Sequence, residues 1–86
     1  MVTGNQIRIA RFALRWSVQD LSAKTNVPLR TLKRIEASDG VPGSNAATLQ
    51  VITHCLEAAG IEFIGTPDDA PGIRIHQPAS DRALDR

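Results

Sequence analysis

Residues 17–36 read SVQDLSAKTNVPLRTLKRIE, and this stretch decides the fold. It divides into two short helices around a turn at Thr25, Asn26 and Val27. Ser17 stands just ahead of the first helix, where its hydroxyl can accept from a free first-turn amide. Leu21 falls on the inner face. Asparagine tolerates a left-handed backbone better than most residues with a Cβ, which suits Asn26 to the turn. Pro28 opens the second helix, where its fixed φ helps and its missing N–H costs nothing. Leu32 and Ile35 supply a narrow apolar back, while Arg30, Thr31, Lys33 and Arg34 point elsewhere. A short helix with an apolar back and a cationic front is suited to docking on an anion.

Working outward, residues 1–4 read as a frayed start. Asn5 is the expected cap of a helix running to Leu14 or Arg15, with Ile7, Ala10, Ala13 and Leu14 near one face and Arg8, Arg11 and Arg15 along another. Ile9 and Phe12 fall off that stripe and either broaden the buried face or touch a partner. Trp16 is placed to seal the edge of the core. On the other side, residues 37–44 are dense in turn formers and read as a loop. Ser44 or Asn45 caps a helix over 46–59, whose Leu49, Ile52, Leu56 and Ala59 recur at helical spacing with Cys55 beside them. Gly60 stops it. The period then changes: residues 61–64 and 73–75 alternate as short strands about a turn at 65–72, which predicts a hairpin. Residues 77–86 have no apolar period and are expected to form a flexible tail.

Eighty-six residues suit one domain, with only about 60–65% of the unfolded chain's surface available for burial. With no Tyr, two Phe and one Trp, the core must be aliphatic. The single cysteine, Cys55, excludes an internal disulfide and fits a reducing compartment. No apolar run approaches the roughly 20 residues that span a bilayer. A soluble, cytoplasmic protein without a membrane partner is expected. The net charge of +1 conceals an asymmetry. Residues 1–36 hold seven cations against Asp20 and Glu36, a balance of +5, and residues 37–86 hold three cations against seven acids, a balance of −4. A basic half built of short helices is the electrostatic footprint of a nucleic-acid binder, although solvated faces give the same count.

Residues 5–59 resemble the DNA-binding domain of the phage repressor and Cro-like (XRE-type) helix-turn-helix family. The shared pattern is an apolar first helix (Ile7 to Leu14), a capping Ser17, Leu21-Ser22, the turn Asn26-Val27, a short helix Pro28 to Glu36, and a fourth apolar helix (Leu49 to Leu56). The C-terminal strands are similar to a bacterial subset in which a strand pair replaces a fifth helix. The resemblance implies a mainly α, lambda-repressor-like fold of four short helices with a C-terminal β-hairpin. Residues 1–59 would form the DNA-binding domain and 60–76 the hairpin. It also implies an ion pair between Arg11 on the first helix and Glu36 at the end of the recognition helix. The chain departs from the pattern where Val18 replaces a phosphate-contacting glutamine, Ser22 a small alanine and Asn26 the turn glycine. Pro28-Leu29 stands where polar base readers are usual.

The function implied is sequence-specific binding of double-stranded DNA by a transcriptional regulator such as a repressor, with residues 28–36 in the major groove. By residue-wise analogy Leu29, Arg30, Lys33 and Arg34 face base edges and Thr31 reaches a phosphate or base. Gln19, Lys24 and the loop 38–44 contact the backbone. A homodimer on two half-sites is expected, with Ile61, Phe63, Ile64, Ile73 and Ile75 as its candidate interface by edge pairing. The hairpin packing only on its own helices is the alternative. The rival function is a degenerate helix-turn-helix acting on a partner protein, as an antiactivator or antitoxin; Val18 and Leu29 favour it and the cluster Arg30, Lys33 and Arg34 opposes it. An enzyme is not expected. His54 and Cys55 are adjacent on a helix and diverge, Asp68-Asp69 lies in a turn, and no phosphate loop or nucleophile elbow occurs. The sequence calls for no cofactor and no metal.

Overall fold

A computed structural model describes residues 1–76 of the chain, and the expected tail at 77–86 lies outside the described residues. Four helices come first: α1 (Gly4–Ala13), α2 (Val18–Thr25), α3 (Leu29–Glu36) and α4 (Ala46–Ala58). Two antiparallel strands follow, β1 (Ile61–Thr66) and β2 (Asp69–Ile75). The fold is mainly α with a C-terminal hairpin. Among the described residues no helix is long and apolar enough to cross a membrane.

Every element but β2 places a buried side chain in one aliphatic core. Ile7 and Ala10 enter from α1, Leu21 from α2, Val27 from the turn, Leu32 and Ile35 from α3, Ile52 and Leu56 from α4, and Ile61 from β1. Six of these large side chains are fully enclosed, each contributing about 1.5–3 kcal/mol of burial. Val2, Leu14, Trp16, Val18, Leu49, Cys55, Phe63 and Ile73 pack around them, half-buried. The α4 stripe and Trp16 thus lie where the spacing predicts. Ala13 is instead exposed, and of the two residues off the α1 stripe Ile9 is half-buried while Phe12 keeps 64% of its surface in solvent.

The start of α1 differs from expectation. Thr3, not Asn5, is the cap: its Oγ1 accepts from the Gln6 amide at 3.0 Å, and Gln6 Oε1 accepts from the Thr3 amide at 2.9 Å. This reciprocal box satisfies two end amides, where a single Asn would satisfy one. Asn5 turns outward to the Arg8 guanidinium. Residues 2–4 are therefore held in place, and only Met1, 84% exposed, is left as a loose start. Thr3 and Gly4 are buried, Val2 packs on the core, and the Gly4 amide donates to the Gly40 carbonyl at 2.9 Å. A Cβ on Gly4 would run into the carbonyl oxygens of Ile35 and Ser38, so only glycine lets α1 seat against the end of α3. At its other end α1 stops at Leu14, and Arg15 takes a left-handed φ of 60°.

Ser17 caps α2 in a second box, its Oγ accepting from the Asp20 amide at 3.0 Å while Asp20 Oδ2 accepts from the Ser17 amide at 2.8 Å. Asn26 closes α2 with φ 62°. Asn45 caps α4 by accepting from the Thr48 amide at 2.8 Å, and Gly60 turns the chain out with φ 109°.

The hairpin is longer than its alternation suggests. The pairs Ile61–Ile75, Glu62–Arg74, Phe63–Ile73 and Ile64–Gly72 continue past a register shift to Thr66–Asp69, which reduces the expected loop at 65–72 to Pro67 and Asp68. The shift depends on positive φ at Gly65 (78°) and Ala70 (51°), and a Cβ on Gly65 would strike the Ala70 carbonyl. The turn formers thus build a bulge inside the strands. Pairing extends to the His76 amide, which donates to the Gly60 carbonyl at 2.7 Å. Gln6 Nε2 fastens the hairpin to α1 by donating to the carbonyls of Ile64 (3.0 Å) and Gly72 (2.8 Å).

The hairpin packs on its own helices, the alternative left open for the candidate dimer surface. Ile61 is 2% exposed within its own core, and Phe63 and Ile73 lean on that same core. Those three side chains are engaged by the helices. Ile64 is half-buried on the other face, and Ile75, 56% exposed, keeps most of its surface free.

Candidate functional site

The surface of α3 is presented by what holds its back. Leu32 and Ile35 are fully enclosed and Glu36 is 6% exposed. The Glu36 carboxylate receives Arg11 in a two-pronged pair, Nε to Oε2 at 2.9 Å and Nη2 to Oε1 at 2.8 Å. The two side chains are only 11% and 8% exposed. Arg11 Nη1 also donates to the Trp16 carbonyl at 2.9 Å, so one guanidinium ties α1, the α1–α2 turn and α3. These bonds to Glu36, outweighing the opposing effect of burial, hold the Arg11 pKa above its ordinary value. Arg8 Nη1 donates to the Glu36 main-chain carbonyl at 2.8 Å, placing a cation at the negative end of the α3 dipole.

The turn before α3 is held as firmly. The Ser22 hydroxyl donates to the Val27 carbonyl at 2.7 Å, and the Thr25 hydroxyl donates to the Leu21 carbonyl while accepting from the Val27 amide at 3.2 Å. The Asn26 amide returns to the Ser22 carbonyl at 2.8 Å. Ser22 in place of a smaller alanine therefore supplies a bond that sets the exit from α2. Val18 packs on the core and Gln19 beside it is exposed.

On the front of α3, Arg30, Lys33 and Arg34 are exposed and Leu29 and Thr31 half-buried. By helical spacing Arg30, Lys33 and Arg34 share one cationic face, Arg34 standing four residues from Arg30 and three from Thr31. Thr31 and Arg34 also wall a groove of about 470 Å³ lined by Asn26, Val27 and Pro28 and by Gly43, Ser44, Asn45 and Thr48. Arg34 Nη2 donates to Ser44 Oγ at 3.1 Å across it. Lys24 sits apart, its ammonium 4.7 Å from the Trp16 ring centroid.

The structure thus gathers Leu29, Arg30, Thr31, Lys33 and Arg34 on one helix and joins Arg11 to Glu36, leaving Gln19 and Lys24 as exposed flanks on α2. Sequence reasoning assigned no role to Gly4 or Gln6, and it placed Arg8 on a cationic face and Ser44 as a candidate cap and end of the backbone-contacting loop without their bonds to Glu36 and Arg34. The Thr3-x-x-Gln6 spacing carried a signal for the first helix cap, whereas Arg8 and Ser44 act across the fold and have no local signature. A second hollow of about 320 Å³, lined by Met1, Val2, Ala46, Leu49, Gln50 and Thr53, includes no residue of α3. Among the described residues no three His, Cys, Asp or Glu side chains converge to hold a metal ion.

No protein-family model matches the chain, and no curated protein or solved structure shows significant similarity to it.

Proposed function

We propose that α2, the Asn26 turn and α3 form a helix-turn-helix of the phage-repressor and Cro-like type, and that the chain is a sequence-specific, duplex-DNA-binding transcriptional regulator of the cytoplasm. The reading rests on one observation: α3 carries Arg30, Lys33 and Arg34 exposed on a helix whose back is locked by Leu32, Ile35 and the buried Arg11–Glu36 pair. A rigid cationic helix end can enter a major groove without losing much side-chain or backbone freedom on binding. Arg30 and Lys33 then face base edges with Leu29 beside them, apt for a thymine methyl. Gln19 and Lys24 contact the sugar-phosphate backbone.

One domain offers little contact, so two copies would bind half-sites about 10 base pairs apart or a multiple of that. Ile75 and the outer edges of the hairpin are the surfaces left for that pairing, since Ile61, Phe63 and Ile73 are occupied by the helices. Light scattering across concentration tests it; a strict monomer at high concentration removes the dimer.

Leu29 supports a second reading, a protein-interaction module acting as an antiactivator or antitoxin, because it puts an apolar side chain among the cations. Val18 no longer favours that reading, since it packs on the core. Binding to random duplex DNA across a salt series separates the two. The DNA reading requires affinity that falls steeply with salt as counterions are released. No binding even at low salt leaves the protein partner.

A further inference from the structure

Resting on the DNA reading above, we propose a division of labour on α3: Arg34 is a phosphate-contacting residue that sets register, and base reading is left to Arg30 and Lys33. Helical analogy alone places Arg34 with the base readers. The groove argues otherwise. Arg34 is drawn across it to Ser44 Oγ at 3.1 Å, so its guanidinium belongs to the α3–α4 side of the helix. Around it lie Thr31, Ser44, Asn45 and Thr48, side chains with hydroxyl or amide groups, and none of the nine lining residues is acidic. A cation among neutral hydrogen-bonding groups, in a cleft of about 470 Å³ that borders the helix entering the DNA, fits a backbone phosphodiester oxygen. Base edges are flat and deep in the major groove, and an arginine tethered sideways to a loop must break that tether to reach them. Arg30 and Lys33 carry no such tether: neither donates a side-chain hydrogen bond among the described residues. The Ser44 bond is made by Nη2 alone and leaves the other guanidinium N–H groups able to take a phosphate oxygen, so the tether orients the charge without consuming it.

The consequence is that Arg34 contributes equally to every sequence. The experiment uses the full chain and a duplex selected from random fragments, together with its single-base variants and a random duplex, each titrated across salt. Arg34→Ala should weaken selected and random duplexes by the same factor, lower the slope of log affinity on log salt by about 0.9, and leave the base-preference profile unchanged. Arg34→Lys should recover most of the random-duplex affinity with the same profile, since a point charge serves a phosphate well. Arg30→Ala should relax preference about tenfold or more at one base pair. Circular dichroism of each variant establishes that it is folded. The assignment is overturned if Arg34→Ala relaxes one base position while random-duplex affinity and salt slope stay put. Absence of wild-type binding to any duplex at low salt overturns it together with the DNA reading, a result distinct from a changed profile in a protein that binds.

Discussion

α1 is fastened to the rest of the protein by two joints of different chemistry. Against α3 the joint is ionic: Arg11 and Glu36 meet at 2.8 Å with little exposure. Against the hairpin it is neutral: the Gln6 amide divides its two N–H groups between the Ile64 and Gly72 carbonyls. A buried ion pair is unforgiving, because each partner alone is a desolvated charge. An amide holding two carbonyls is milder, because losing it strands only neutral groups, the two carbonyls and the Thr3 amide. The helix that carries the candidate site is set by the unforgiving joint, and the hairpin, which carries no candidate base contact, by the milder one.

Removing one side of the ionic joint is the severest way to break this contrast. Arg11→Ala leaves Glu36 buried and unpaired and should cost about 3–5 kcal/mol in urea unfolding; a loss below about 1 kcal/mol would reduce the pair to an ordinary surface contact. Pairing Arg11→Met with Glu36→Leu should regain most of that loss, because no charge is then stranded. Gly4→Ala probes the same joint through its backbone. It should destabilise by about 2 kcal/mol as the methyl meets the Ile35 and Ser38 carbonyls, although alanine alone favours a helix by about 1 kcal/mol. A more stable Gly4→Ala protein would mean that α1 and α3 separate easily.

The neutral joint should yield less. Gln6→Ala removes the acceptor of the Thr3 amide and the donor of two carbonyls, for a loss of about 1–2 kcal/mol. Faster amide exchange should appear in the hairpin before it appears in α3; equal acceleration in both would erase the distinction between the joints. Mildest is the α2 cap, which adjoins the Trp16 carbonyl held by Arg11 but whose own bonds belong to neither joint. Ser17→Ala should cost about 1 kcal/mol by thermal melting. The Ser17 backbone and hydroxyl bonds hold Asp20 below its ordinary 3.8. The cap's charged contribution is therefore whole above that pH and disappears as pH falls through the lowered value. Asp20→Asn should flatten the acid limb of the stability curve by lowering the stability at neutral pH toward its acid value.

What could be read from the sequence was whatever is governed locally. Ser17 as a cap, Asn26 in left-handed backbone, Leu32 and Ile35 inward and Gly60 as a stop each follow from one residue's own preferences. Asn5 misled because its capping propensity competes with a Thr–Gln box two residues earlier, and a reciprocal pair satisfies more amides than one side chain. The strands were foreshortened because Gly65 and Ala70 read as turn residues, while their positive φ values serve a bulge. Hardest to foresee were bonds that span the chain. Gln6 reaches residues 58 and 66 positions away, and Arg34 meets a serine on the next loop. Of the candidate site, the cationic identity of α3 was legible and the groove beside it was not, since Thr31 and Arg34 line it together with a loop and α4.

The Gln6 amide has a consequence for the order in which this protein can be made. Its capping partner Thr3 is three residues away, yet its other two partners, Ile64 and Gly72, are among the last parts of the fold to be synthesised. A nascent chain that has emerged only as far as α4 has every residue of α1, but the Gln6 N–H groups have no hairpin carbonyls to meet and Ile61 has not yet filled the core. Closing so long a loop carries an entropic cost that only the finished hairpin offsets. α1 can thus meet α3 through Arg11 and Glu36 before the hairpin exists, and it gains its Gln6 bonds and the Ile61 packing only when residues 61–72 have been made.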